Sequence, residues 1–296
     1  MKTSNGGIRM KKPMSKTKKI IYDILFVIAL AVFLFSAYKL ISIYYLNYQE
    51  GKEKDAVQEV AKVPKNPEKE DFTIDWKALK EKNPEVVGWI LIPDTDISYP
   101  IVQGSDNSYY LNHTFEKKEN YAGAIFMDAG ADASFQDRNT IIYGHNVKHG
   151  TMFAELEKFK EQAFFEQHPY LYIFTEQQNY RCEIFSMYST SATSASYRLQ
   201  YADDADFKSY VDMVRELSDF NRKVSVKGQD RIVSLSTCSY ERDGQPSELR
   251  YLLHARLVKW DGALKKKSQL HFKEKTANPA FGKRNAQDGK ENMRCI

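Results

Sequence analysis

Cysteine is scarce in this chain, and several other features are missing altogether. Only 3 cysteines occur among 296 residues, too few for the disulfide framework that stabilises small secreted domains. The sequence has no internal repeat, no glycine-rich nucleotide-binding loop and no carboxylate cluster with calcium-ligand spacing. Repeat arrays and nucleotide-dependent enzymes are therefore excluded, and we expect no metal or other cofactor.

Acidic residues are absent from residues 1–19, which carry several lysines and an arginine. Residues 20–46 follow and are apolar apart from a few polar positions, with Asp23 and Lys39 as the charged ones. A membrane span needs about 20 apolar residues, and a lysine near one end can extend its side chain to the interface. No small-residue cleavage site follows. We therefore predict an uncleaved single-pass anchor in the cell membrane, with the amino terminus cytoplasmic and the rest extracellular.

The remainder of the chain divides by composition into three parts. Residues 47–71 are rich in Lys, Glu, Val and Pro without a sustained period and are interpreted as a stalk. Residues 72–262 carry the pattern of a folded domain. Residues 263–296 are polar and basic, with Lys265–Lys267 as a charge cluster, which indicates a disordered tail. Attraction of that tail to anionic wall polymer or lipid headgroups remains an open alternative.

Short strand-like runs separated by turn residues dominate residues 72–262, and this density predicts a mainly β fold built on a closed barrel. Helical spacing predicts a short helix over Trp76–Lys82 with Asp75 as its cap, a helix over Met152–Glu161 and a long helix over Asp203–Phe220. The predicted strands include 86–92, 97–102, 124–126, 140–143, 170–174, 179–189, 223–226, 231–237 and 250–259.

One segment, Arg231–Tyr240, places a thiol where it can react. It has strand character and ends near Cys238, and Arg250 opens the next strand. An antiparallel hairpin would set Cys238 opposite Arg250, and a neighbouring guanidinium favours the thiolate over the thiol. His145 follows a third strand and a glycine. Cys, His and Arg at the ends of three strands predict a nucleophilic site.

Other residues of the same types compete for these roles. Cys182 lies in an alternating strand pattern typical of a buried cysteine, and Cys295 is next to last in a polar tail. Arg256 would pair with Ile232, far from the thiol, whereas Arg242 lies in the connecting loop. The remaining histidines are His113, His149, His168, His254 and His271.

Five further segments can be compared with known families: Leu235-Ser-Thr-Cys238, Tyr143-Gly-His145, Asp106–Leu111, Tyr99–Gln103 and His145–Phe153. Together they resemble the class B sortases over about residues 72–260. The resemblance implies a sortase-like closed β-barrel with an N-terminal helix and a long helix before the cysteine strand, preceded by one transmembrane helix. Each motif alone is weak, but their shared order and spacing are specific.

The resemblance also implies a chemistry. Cys238 would attack a Thr carbonyl in the C-terminal sorting signal of an exported protein and form a thioester. His145 would transfer protons, and Arg250 would stabilise the oxyanion. An amine of the peptidoglycan precursor would then resolve the thioester. The implied substrate-binding residues are Asn107, Leu111, Ser236 and Thr237, and the groove is expected on the loops at 106–114 and 190–201.

Structural roles for the substrate-binding residues and other functions for the protein stay open at this point. Asn107 can instead cap a loop, Leu111 can pack in the core, and Ser236 can simply end a strand ladder. The resolving amine can belong to a pilin lysine, which would make the protein a pilus polymerase. More distant alternatives are a wall-peptidase-like cysteine hydrolase and a membrane-tethered peptide-binding domain without catalysis. No nucleic-acid partner is expected.

Overall fold

A computed structural model describes residues 15–147, 150–241 and 247–262. The tail at 263–296, Arg242, His149, His271 and Cys295 lie outside the described residues. The helices are α1 Lys16–Ala61, α2 Trp76–Lys82, α3 Gln162–Gln167 and α4 Asp204–Glu216. The strands are β1 Val86–Leu91, β2 Ser98–Val102, β3 Phe126–Met127, β4 Asn139–Tyr143, β5 Tyr170–Phe174, β6 Asn179–Ser191, β7 Ile232–Cys238 and β8 Leu249–Lys259.

The eight strands close into a barrel in the order β1-β2-β3-β4-β7-β8-β6-β5. Strands β2 and β3 and strands β4 and β7 pair in parallel, and the other neighbours are antiparallel. Alternate side chains of β7 and β8, such as Leu235 and Leu253, enter the largest hydrophobic cluster. The intervening positions, such as Leu252, pack in a second cluster with residues of α4. The predicted closed barrel is confirmed.

The chain divides into two compact units at Gly51. In the first unit, α1 contains an 18-residue window with a mean hydropathy of 2.6 and no buried residue. By length and composition this helix could cross a membrane.

In the second unit, the last turns of α1 belong to the core of the folded domain. Val57 and Ala61 are buried in one hydrophobic cluster with Trp89 of β1 and Leu79 of α2. Gln58 donates from Nε2 to the carbonyl of Ser98 at 3.0 Å. Part of the segment predicted as a stalk therefore packs on the barrel.

Two of the predicted helix starts are confirmed by their caps. The backbone N–H of Ala78 donates to Asp75 Oδ1 at 3.0 Å at the start of α2. The backbone N–H of Asp206 donates to Asp203 Oδ1 at 2.8 Å at the start of α4. Each carboxylate satisfies an amide that has no partner inside its own helix.

The helix predicted over Met152–Glu161 is instead a 3-10 helix at Ala154–Lys160, followed by α3. Leu156 and Phe159 of this helix are buried, and so is Phe153, the residue before it. These residues recur every third position, which matches the three residues per turn of a 3-10 helix rather than the α-helical period.

The strand predicted at 223–226 is wrong. The backbone there is irregular, and arginine side chains supply partners for its carbonyls. Arg215 donates to the Val224 carbonyl, and Arg256 donates from Nη1 to the Ser225 carbonyl at 2.7 Å. These guanidinium bonds replace the ladder that a neighbouring strand would provide.

His254 of β8 is completely buried beneath α4. Its ring lies between Ser234 Oγ, 2.7 Å from Nδ1, and the Tyr188 hydroxyl, 3.1 Å from Nε2. Burial lowers the pKa of His254 from 6.5 to about 3, because the charged ring loses its hydration. The imidazole is therefore neutral in the folded protein at ordinary pH.

Truncating Val57 should destabilise the domain. Val57→Ala removes buried methyl groups and should lower the free energy of unfolding of a soluble fragment, residues 52–262, by about 2 kcal/mol. Urea denaturation measures this change. The control is Glu59→Ala on the exposed side of the same helix, expected within about 0.5 kcal/mol of wild type. Equal effects of the two variants would contradict packing of the end of α1 on the barrel.

Acid should selectively weaken the protein through His254. Between pH 6.5 and about 3 the unfolded chain binds a proton at this residue and the folded chain does not, so stability is present above 6.5 and is lost as pH falls. His254→Phe removes this contribution. The difference in free energy of unfolding between wild type and variant should therefore shrink toward low pH in urea titrations. A difference independent of pH would show that His254 is not buried in its neutral form.

Candidate active site

Strand pairing brings the three predicted catalytic residues to one end of the sheet. Cys238 ends β7 and pairs with Arg250 of β8. On the other side, β7 lies parallel to β4 with Ser236 beside Tyr143. The chain leaving β4 continues along β7, because the Gly144 N–H donates to the Ser236 carbonyl at 3.1 Å and Asn146 Nδ2 donates to the Cys238 carbonyl at 3.0 Å. His145 lies between these two contacts.

Gly144 allows this segment to approach the domain closely. A Cβ atom here would lie 2.4 Å from Cδ1 of Ile125 and 2.8 Å from Cδ2 of Phe153, both buried core residues. No side chain fits without moving them. The glycine before His145 is therefore required for packing beneath the histidine.

The imidazole of His145 is oriented by a backbone carbonyl. Its Nε2 lies 2.7 Å from the carbonyl oxygen of Leu111, and a carbonyl can only accept, so Nε2 carries the hydrogen. In the neutral ring Nδ1 then bears the lone pair that can receive a proton. Leu111 ends the 3-10 helix at Tyr109–Leu111, so this loop helps to set the direction of the imidazole.

Arg250 is half-buried beside the thiol. Its Nη1 donates to the carbonyls of Ser247 at 3.0 Å and Leu249 at 2.9 Å. These bonds hold the guanidinium at the start of β8. Cys238 is also half-buried, so its sulfur remains reachable from solvent.

Tyr197, from the loop between β6 and α4, lies beside the same pair. Burial raises the pKa of its hydroxyl, the Arg250 guanidinium opposes that rise and Cys238 adds to it. The hydroxyl lies 2.8 Å from Ser236 Oγ. The ring stacks on Tyr143 with 6.4 Å between centroids and 5° between planes. No sequence motif singled out Tyr197; it falls in the loop at 190–201 that was expected to line the groove.

The four predicted substrate-binding residues have different surroundings. Ser236 and Thr237 are buried on β7, and Thr237 Oγ1 has no hydrogen-bond partner within the described ranges. Leu111 is exposed over 43% of its surface, so it does not pack in the core. The Asn107 side chain is hydrogen-bonded within a framework of protein groups: its Nδ2 donates to Asp128 Oδ2 at 2.9 Å, and its Oδ1 accepts from the Ala129 N–H at 2.7 Å.

Asp128 extends this framework to the active site. Its Oδ2 also accepts from the Tyr143 hydroxyl at 2.8 Å, which links Asn107 to the stacked pair of Tyr143 and Tyr197. Sequence reasoning missed Asp128, because an aspartate after a two-residue strand gives no pattern. The contact can be seen only when the loop at 106–111 and β4 are placed together.

Two of the competing residues, Arg256 and Cys182, have surroundings that do not suit a catalytic role. Arg256 lies opposite Ile232 and pairs with Glu183 at 2.7 Å. Cys182 is fully buried, and burial raises the pKa of its thiol well above the usual value. Across the described residues, no group of three or more His, Cys, Asp or Glu side chains is arranged to hold a metal ion.

Comparison with protein families matches residues 90–258 to the sortase domain. A Sortase B from Listeria monocytogenes is 36% identical over 248 residues, which cover 82% of this chain and 99% of the relative. A Sortase B from Staphylococcus aureus is 32% identical over 231 residues, which cover 78% of this chain and 91% of the relative.

Solved structures show the same likeness. Sortase B from Bacillus anthracis in complex with AAEK1 superposes with a TM-score of 0.65 at 36% identity, covering 74% of this chain and 100% of that structure. A Staphylococcus aureus sortase B–substrate complex superposes with a TM-score of 0.64 at 30% identity, covering 72% of this chain and 98% of that structure.

Adding a methyl group at Gly144 should disturb the segment that carries His145. Gly144→Ala forces overlap with Ile125 and Phe153, and the free energy of unfolding should fall by about 1–3 kcal/mol. The rate at which iodoacetamide alkylates Cys238 should change as well. Gly104→Ala is the matched control, because its Cβ would make only ordinary contacts of 3.4–3.5 Å. A Gly144→Ala variant that behaves like the control would contradict the close packing.

Proposed function

This chain belongs to the class B sortases, a branch of the sortase family of cysteine transpeptidases, and we propose that Cys238, His145 and Arg250 carry out its reaction. The observation that carries this proposal is the register in which β7 pairs with both β4 and β8. It sets the thiol opposite the guanidinium and beside the segment that bears the imidazole. The substrate is the C-terminal sorting signal of an exported protein.

The first step is attack of the Cys238 sulfur on the carbonyl carbon of a threonine in the signal. The thiolate is the form of the cysteine that attacks. As the S–C bond forms, negative charge develops on the carbonyl oxygen. Arg250, anchored through Nη1, donates from its remaining N–H groups to this oxyanion and lowers the energy of the tetrahedral intermediate.

His145 completes this step as a general acid. The C–N bond after the threonine breaks, and the departing amine takes a proton from the imidazolium. The peptide that followed the threonine leaves, and the exported protein remains bound to Cys238 as a thioester. The Leu111 carbonyl holds the ring in one orientation during the transfer.

The second step reverses the roles of these groups. An amine of the peptidoglycan precursor attacks the thioester and gives its proton to His145, which now acts as a base. The C–S bond breaks, the thiolate of Cys238 is regenerated, and a new amide joins the protein to the cell wall. Asn107, Leu111, Ser236 and Thr237 line the approach to the thiol in this proposal.

The proposed location is supported by the apolar part of α1. Residues 20–46 form the transmembrane signal anchor, and the basic residues 1–19 remain in the cytoplasm. Residues 47–71 lead to the catalytic domain at 72–262, which faces the cell wall, and residues 263–296 form the basic tail. This arrangement keeps the thiol outside the membrane, where sorting signals and wall precursors meet.

Identification of the amide that forms tests the substrate and the amine together. The fragment 52–262 is incubated with a panel of threonine-containing signal peptides and with two kinds of amine, a wall-peptide amine and a lysine-bearing pilin peptide. Mass spectrometry should identify a product joined through the threonine carbonyl to the wall amine. A product formed only with the lysine peptide would identify a pilus polymerase, and peptide binding without any new amide would indicate a binding domain.

Replacing Cys238 should abolish the covalent intermediate. Cys238→Ala should eliminate both the thioester, seen as a mass adduct on the intact fragment, and the new amide. Cys182→Ala is the matched control, since this thiol is fully buried on β6, and the variant should keep both signals. A thioester that survives in Cys238→Ala would overturn the assignment of the nucleophile.

A further inference from the structure

A row of buried polar side chains continues along the sheet behind the thiol. Alternate residues of a strand share a face, so the cross-strand pairs Cys238–Arg250, Ser236–Leu252 and Ser234–His254 lie on one side of β7 and β8. The last pair contains two polar residues, both completely buried. A buried polar group costs free energy unless it is hydrogen-bonded, so the partners of His254 matter.

The partners of His254 form a continuous network. Ser234 Oγ lies 2.7 Å from Nδ1 and donates to Asn139 Oδ1 at 2.7 Å. The Tyr188 hydroxyl lies 3.1 Å from Nε2. A neutral imidazole has one donor and one acceptor, and hydroxyl groups can serve either. The low pKa of His254 keeps the ring in this neutral form.

The network ends on one short segment, the 3-10 helix at Ala195–Tyr197. The Tyr188 hydroxyl is bonded to Ser196 Oγ at 2.8 Å. The hydroxyl of Tyr210, on α4, donates to the Ser196 carbonyl at 2.7 Å. Asn139 Nδ2 donates to the carbonyl of Arg198 at 3.0 Å. Bonds from α4 and β4 thus hold the backbone carbonyls on the two sides of Tyr197, and the bond from β6 holds the side chain of Ser196.

Tyr197 itself reaches in the opposite direction, toward the thiol. Its hydroxyl lies 2.8 Å from Ser236 Oγ, and its ring stacks on Tyr143. Ser196 is 1% exposed, so the residue before Tyr197 is embedded in the domain. The position of the Tyr197 ring beside Cys238 therefore depends on bonds made beneath it.

We propose that the buried network of Asn139, Ser234, His254, Tyr188 and Ser196 is a positioning device that sets the place of Tyr197 and thereby the shape of the peptide groove beside Cys238. This inference rests on the proposed function. None of the five residues is a catalytic residue, since each acts through the backbone of the 3-10 helix. The network fixes the distance between the loop at 194–201 and the end of β7.

The test compares the removal of two buried hydroxyl groups, of which only one is linked to the segment that carries Tyr197. Tyr188→Phe removes the hydroxyl that joins His254 to Ser196 and keeps the ring. Ser186→Ala is the matched control: Ser186 pairs with His254 across β6 and β8 and is fully buried, but its Oγ donates to the Val214 carbonyl of α4 at 2.7 Å. Both variants should lower the melting temperature.

Two measurements on the full-length chain in detergent separate positioning from general stability. Amide hydrogen exchange of residues 194–201 should become about ten-fold faster in Tyr188→Phe and stay unchanged in Ser186→Ala, because weaker anchoring raises the population of locally open states. For the threonine peptide of the panel that is cleaved fastest, KM should rise about five-fold in Tyr188→Phe with kcat within two-fold. Ser196→Ala, which removes the other end of the same bond, should reproduce both changes.

The outcomes are distinct. Equal rates of amide hydrogen exchange at residues 194–201 in Tyr188→Phe and Ser186→Ala would overturn the inference. Faster exchange in Tyr188→Phe without any change in KM would overturn it as well. If no peptide of the panel is cleaved by the wild-type protein, the proposed function fails, while the exchange comparison still decides whether the network positions the loop.

Discussion

The pairing of β7 with a parallel neighbour on one side and an antiparallel neighbour on the other determines the active site. β7 lies between β4 and β8 in the closed barrel. A shift of one residue in the pairing with β8 would remove Arg250 from the position opposite Cys238. A shift in the pairing with β4 would displace the segment that carries His145 relative to Cys238. Barrel closure prevents such a shift, because every strand is held on both sides by hydrogen bonds and on its inner face by the core.

Much of this arrangement can be predicted from the sequence because strand periodicity and motif spacing carry it. The alternation around Cys238 and the position of Arg250 predict the hairpin, and the hairpin fixes their register, which the structure confirms. The position of His145 relative to Cys238 cannot be predicted in this way. No local pattern joins β4 to β7 across almost 100 residues of chain, so the sequence supports it only through the resemblance to sortases.

The remaining features depend on contacts that periodicity does not encode. Tyr197 lies in a three-residue 3-10 helix and Asp128 in a loop, and the contacts of both depend on side chains from other elements. The backbone at 223–226 has the composition of a strand, yet guanidinium groups bind its carbonyls. In each case a long-range hydrogen bond outweighs a weak local preference, which a single sequence cannot show.

The placement of the two described cysteines bears on how the protein withstands oxidants. Cys182 pairs with Leu257 of β8 and Cys238 with Arg250, so their partners lie seven positions apart on β8, about 23 Å along the strand. A disulfide requires Cα atoms within about 7 Å. If peroxide converts Cys238 to a sulfenic acid, Cys182 cannot act as the resolving thiol, and recovery before sulfinic acid forms depends on a thiol outside the described residues or on an external reductant.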